Sequence, residues 1–106
     1  MLIQLCNIDQ DAITRYTPND KAVTVISCAY SVGYGANQKT QWIEAELWGE
    51  RGVKLAEKCV KGRQILLTAD DVAIDTFTKP DQTTGFKLKC RVIDIDFTTS
   101  ANHPAQ

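Results

Sequence analysis

Trp42 and Trp48, in the run Thr40-Gln41-Trp42-Ile43-Glu44-Ala45-Glu46-Leu47-Trp48-Gly49, are the side chains of this sequence most suited to holding a ligand. Successive side chains of a strand point to opposite faces, so Ile43, Ala45 and Leu47 share one side while Trp42, Glu44, Glu46 and Trp48 share the other. A strand that hides small aliphatics and presents two indoles among carboxylates is suited to contact something flat, such as a nucleobase. The alternative is that a loop, another strand or a second subunit covers both rings.

Other chemistries find little support. Cys6, Cys28, Cys59 and Cys90 are scattered in apolar settings without a C-x-x-C pair or a nearby histidine pair, which argues against a zinc cage and for buried reduced thiols. Hydrolysis of nucleic acid would need carboxylates clustered around a metal, or a histidine base. Asp70, Asp71 and Asp75 form only a loop-like acidic run, and His103 lies near the end without candidate partners. The expectation is a non-enzymatic binder with neither metal nor cofactor.

Placing two indoles on one face requires a folded sheet around them. The chain of 106 residues suffices for one core, expected over residues 1–98, with 99–106 as a loose polar tail. No opening signal peptide and no bilayer-length apolar run is visible, so a cytoplasmic protein without a membrane partner is expected. The net charge of −1 is unusual for a nucleic-acid binder, although local placement of charge decides what a ligand feels.

Leu2 to Ile8 reads as a first strand, and Asp9-Gln10-Asp11 breaks it. Arg15 to Lys21, with Pro18, Asn19 and Asp20, should reverse the chain. Ala22 to Tyr30 is apolar on both faces, as in a strand that is doubly covered or closes a barrel. Ser31 to Lys39, glycine-rich, reads as a mobile hairpin loop into the tryptophan strand. From Glu50 to Lys61 the spacing of Val53, Ala56 and Val60 is helical, and Gly62 sits where a C-cap glycine would.

Gln64 to Thr68 is a fourth strand running into Asp70-Asp71, with Val72 to Phe77 continuing as a hairpin arm. Thr78 to Gly85 carries turn residues throughout. In the last strand Leu88, Cys90 and Val92 alternate with Lys87, Lys89 and Arg91, and then Ile93, Ile95 and Phe97 alternate with Asp94 and Asp96. The parity slips near Arg91–Ile93, as a β-bulge or barrel corner would make it do. Three strands, one short helix and two strands is the order of an all-β, five-stranded OB-fold Greek-key barrel, with the helix between strands three and four.

Three blocks of the sequence resemble bacterial single-stranded DNA-binding proteins. Asp11-Ala12-Ile13-Thr14-Arg15-Tyr16-Thr17-Pro18-Asn19-Asp20-Lys21-Ala22-Val23 is similar to that family's Asp-Pro-Glu-x-Arg-Tyr-Thr-Pro-Asn-Gly-x-Ala-Val signature. Thr40-Gln41-Trp42 with Leu47-Trp48-Gly49 resembles its Thr-Glu-Trp and Leu-Phe-Gly, and Leu55-Ala56-Glu57 with Lys61-Gly62 its Leu-Ala-Glu and Lys-Gly. The resemblance implies base-stacking aromatics at Tyr34, Trp42, Trp48 and Phe77, and phosphate contacts from among Arg15, Lys21, Lys39, Lys79, Lys87, Lys89 and Arg91. It also implies sequence-independent binding of single-stranded DNA in replication, recombination or repair, by a homo-oligomer, a tetramer or else a dimer, that meets other replication or repair proteins.

The sequence departs from the pattern at several places. Glu44 stands where members often have a basic residue, and Glu46 adds a second negative charge to that face, which disfavours a nearby phosphate. Ala69 to Phe77 replaces the family's Gly-x-Leu followed by basic residues and a tryptophan. The start is a few residues short, and no acidic tail with an apolar tip ends the chain, as in a shortened chain or a tail-less plasmid, phage or primosomal relative. The competing expectation is an OB-fold module of a replication complex that binds protein first and nucleic acid weakly.

Overall fold

Alternating apolar residues from five strands converge on one core. In the computed structural model, which describes residues 1–98, β1 spans Leu2–Ile8, β2 Ile13–Tyr16, β3 Ala22–Val32, β4 Lys39–Trp48, α1 Glu50–Ala56, β5 Gln64–Thr78 and β6 Thr84–Phe97. The expected tail over residues 99–106, with His103, lies outside the described residues.

β3 pairs antiparallel with β4, β4 parallel with β6, β6 antiparallel with β5, and β5 with β1. The ring closes where β1 returns to β3 at Asn7↔Ala29 and Ile8↔Cys28. This is the five-stranded OB-fold barrel, with α1 between its third and fourth strands. β2 is a sixth strand that, among the described residues, pairs only with β3, from Ile13↔Val25 to Tyr16↔Ala22. The sequence reading had only a chain reversal there.

Ile8, Ile26, Cys28, Ile43, Ala45, Leu47, Ile65, Leu67 and Ala69 fill the interior. All four cysteines are free and buried. A hydrogen bond to Cys6, followed by burial, raises the Cys28 thiol, while burial raises Cys59 and pushes Cys90 up to about 11. Among the described residues no group of three or more potential ligands is placed to hold a metal, and no helix is long and apolar enough to cross a membrane.

Two irregularities bend the β5–β6 ladder. Thr68 faces Asp94 but Ala69 faces Val92, leaving Ile93 as an extra residue on β6. The expected slip of parity is therefore a bulge at Ile93, and its carbonyl accepts a 2.8 Å hydrogen bond from Arg51 of α1. Further along, Asp70 faces Arg91 while Ala73 faces Lys89, so β5 carries one residue more than β6, and Asp71 there takes a left-handed φ of 51°. Beyond this second bulge β6 stays paired with β4 as far as Lys87, and Phe86 to Thr84 then run on with Thr76 to Thr78 as a two-stranded arm.

Three expected boundaries move. The helix ends at Ala56 rather than Lys61, because Lys58 and Cys59 close tight turns on Leu55 and Ala56. Gly62 does not cap it; its φ is 89° and its N–H donates to Ile8 in β1. β5 is one continuous strand through Asp70-Asp71, and the loop expected at Thr78–Gly85 shrinks to Lys79–Thr83 because Thr78 and Thr84 already pair. Likewise the hairpin loop between β3 and β4 shrinks to Gly33–Gln38, since Val32 pairs with Lys39.

Candidate nucleic-acid interface

The outward side chains of β4 form the spine of one face: Trp42, Glu44, Glu46 and Trp48, as the alternation predicts. Trp42 is 38% and Trp48 45% exposed, so neither ring is enclosed by its own chain. Six residues of extended strand set them roughly 20 Å apart.

Cross-strand register arranges the neighbours in rows. Trp42 pairs with Lys87, Glu44 with Lys89 and Glu46 with Arg91 along the parallel β4–β6 ladder. On the far side of β6, Lys87 meets Asp75, Lys89 meets Ala73 and Arg91 meets Asp70. On the near side of β4, Trp42 pairs with Ala29 and Trp48 with Val23, which in turn pairs with Arg15 of β2.

The face is hollowed at both tryptophans. A cleft of about 450 Å³ is lined by Trp42, Phe77, Lys79 and Lys87, together with Asp9 and Gln10 from the loop after β1 and Ser27 of β3. A second, of about 430 Å³, lies beside it and adds Val32, Lys39, Gly85 and Phe86. Trp42, Phe77 and Lys79 line both. A third, of about 270 Å³, joins Trp48 to Glu46, Asp71, Lys89 and Arg91. The β5–β6 arm and the loop after β1 thus border the β3–β4 surface, the arrangement with which OB-folds meet oligonucleotides.

The expected site residues separate into two groups. Trp42, Trp48, Phe77, Lys39, Lys79, Lys87, Lys89 and Arg91 come together around these clefts. Tyr34 does not line them; it sits at the start of the 3-10 turn and is 90% exposed. Arg15 and Lys21 are exposed on β2 and in the turn after it, and line none of the three. Gln10, Ser27, Gly85 and Phe86 escaped sequence reasoning, since only barrel closure and the arm's register bring them here.

Electrostatically, the face is not the basic stripe that its lysines suggest. Lys87 Nζ lies 2.7 Å from Glu44, Lys89 is 4.0 Å from Glu44 and 3.9 Å from Glu46, and Arg91 grips Asp70 in a two-pronged pair at 2.9 and 2.7 Å. Asp71 stands 3.7 Å from the same guanidinium. The Arg91 hydrogen bonds hold the Asp70 carboxyl below its usual range, and those bonds raise Arg91 in turn. Among the described residues Arg15, Lys21, Lys39 and Lys79 have no carboxylate within ion-pair distance.

A search of the curated proteins finds no match to this chain. The model of a protein family described as the single-strand binding protein family matches residues 2–98, the whole barrel. With two open indoles on the β3–β4 surface of an OB-fold and a match of that extent, the chain belongs to the single-strand binding protein family.

Proposed function

We propose that this protein binds single-stranded DNA without regard to sequence, by stacking bases on Trp42, Trp48 and Phe77 while Lys39 and Lys79 meet phosphates and the β6 cations Lys87, Lys89 and Arg91 line the path of the strand in their carboxylate pairs. The observation that carries this reading is the pair of half-exposed indoles on one hollowed face. Every base has a π-face, so stacking works for any sequence and stabilises binding by about 1–3 kcal/mol per base, a magnitude established on proteins of this class. Tyr34, Arg15 and Lys21 are kept as outlying contacts for a longer strand that leaves the clefts. The role is that of a non-enzymatic, cytoplasmic binder serving replication, recombination or repair.

Self-association is part of the proposal. Ile3 and Leu5 are exposed on the outer side of β1, and Leu5 pairs with Leu66 on β5, giving an apolar strip suited to a second subunit. A tetramer is proposed, with a dimer as the alternative.

Titration with poly-dT tests the binding mode. Quenching of tryptophan fluorescence, with affinity falling as salt rises, is expected. Absence of quenching at low salt overturns the reading and favours a protein-binding OB module, toward which the ion pairing of Lys87, Lys89 and Arg91 points.

A further inference from the structure

All three cations on the central row of the face, Lys87, Lys89 and Arg91, are engaged by carboxylates of the flanking strands. This is a ladder built by register. Glu44 and Glu46 alternate along β4 with the same two-residue spacing as Lys87, Lys89 and Arg91 along β6, and the parallel pairing sets the two series side by side. On the other flank, the bulge at Asp71 keeps Asp70 and Asp71 against Arg91. Counting Asp75, which pairs with Lys87, five carboxylates surround three cations. A phosphate arriving here meets a local excess of negative charge and must displace a carboxylate rather than a mobile counterion.

That arrangement treats single and double strands differently. A duplex offers phosphates but keeps its bases stacked inside, so binding to a protein face like this one is driven by cation–phosphate contact and counterion release. A single strand also offers its bases to the indoles, a contribution that does not depend on the cations. Resting on the proposed reading of this face, we propose that Glu44, Glu46 and Asp70 are specificity-determining residues. Acting as built-in counterions of Lys87, Lys89 and Arg91, they suppress binding driven by phosphate alone, so that only a strand able to stack its bases is retained.

The test compares wild-type protein with Glu44→Gln/Asp70→Asn, using poly-dT and a blunt mixed-sequence duplex over a range of salt. Glu57→Gln/Asp96→Asn, which removes the same two negative charges at exposed sites that have no ion pair among the described residues, controls for net charge. The double variant is expected to bind duplex at least tenfold more tightly at low salt. Its salt slope should steepen by about 0.7 on single strands and about 0.9 on duplex for each cation released. The control should match wild type. If wild type binds poly-dT but the double variant keeps the wild-type slopes and duplex affinity, or the control shifts equally, the inference is overturned while the binding reading stands. If wild type binds no poly-dT at low salt, the binding reading falls and takes the inference with it.

Discussion

The ring of Phe77 occupies the space that a side chain at Gly85 would fill: the two residues pair directly across the β5–β6 arm, and a Cβ at Gly85 would stand 2.6 Å from Cε2 of the ring. An aromatic laid over a cross-strand glycine holds the ring in place without a conventional pocket. It fixes Phe77 at the edge shared by the two clefts beside Trp42.

Gly85→Ala should therefore push the ring aside. It is expected to weaken poly-dT binding in the same direction as Phe77→Ala, which should cost about 1–3 kcal/mol. The two effects should not add: a glycine acting only through the ring leaves the double variant no weaker than Phe77→Ala alone. Fluorescence titration of the three variants checks this.

Trp42→Ala and Trp48→Ala should each weaken binding by about 1–3 kcal/mol, but their stabilities should diverge. Val23, directly opposite Trp48 on β3, is buried although it lies on the outer side of the sheet, so removing the indole exposes it. On β3, Trp42 stands opposite Ala29, which is partly buried, and on its other side is Lys87. Urea denaturation should show the larger loss for Trp48→Ala.

How much of this was legible varied by element. Leu2–Ile8 was read to the residue, because its apolar ends and the Asp9 break leave little choice. The slip near Arg91–Ile93 was visible because a bulge inverts parity in the sequence itself. β2 was not legible, since Ile13-Thr14-Arg15-Tyr16 has four residues, none of them buried, and owes its strand conformation to β3. Helical spacing at Val60 misled because Cys59 is buried by packing against the barrel, not as the next turn of α1. Alternation placed the two indoles on one face, and whether anything covered them was left to the fold. The state of Lys87, Lys89 and Arg91 did not, for it depends on which strand lies beside β6. Matching two-residue spacings of opposite charge in the two segments were the available signal.

Gly52 is the only buried residue of α1, and a Cβ there would stand 2.7 Å from the Leu47 carbonyl and 2.8 Å from Thr24 Oγ1. Alanine favours a helix over glycine by about 1 kcal/mol, whereas forcing an atom into a tight contact costs about 1–3 kcal/mol. Because one contact is backbone and the other a buried threonine bonded to Thr14, neither yields cheaply. Gly52→Ala is expected to destabilise, with a lower urea midpoint and an unchanged slope.

Arg91 makes the Asp70 carboxyl more acidic in the folded protein than its ordinary value of 3.8. A carboxyl lowered by folding adds stability above its unfolded value, and that stability is lost as pH falls through the lower folded value. Asp70→Asn should therefore melt slightly below wild type at neutral pH, and the two melting curves should converge as pH falls below about 3.8. Thermal melts across this range decide it.

The salt bridge from Lys87 to Glu44 joins residues 43 positions apart, across the one parallel pairing of the barrel. No local segment can assemble that seam early, because the whole intervening chain must first be looped back and ordered. Ligand capture should therefore appear last in refolding: a kinetic trace of nucleotide-induced quenching would time the final step of maturation, and a half-folded chain would present no working surface at all.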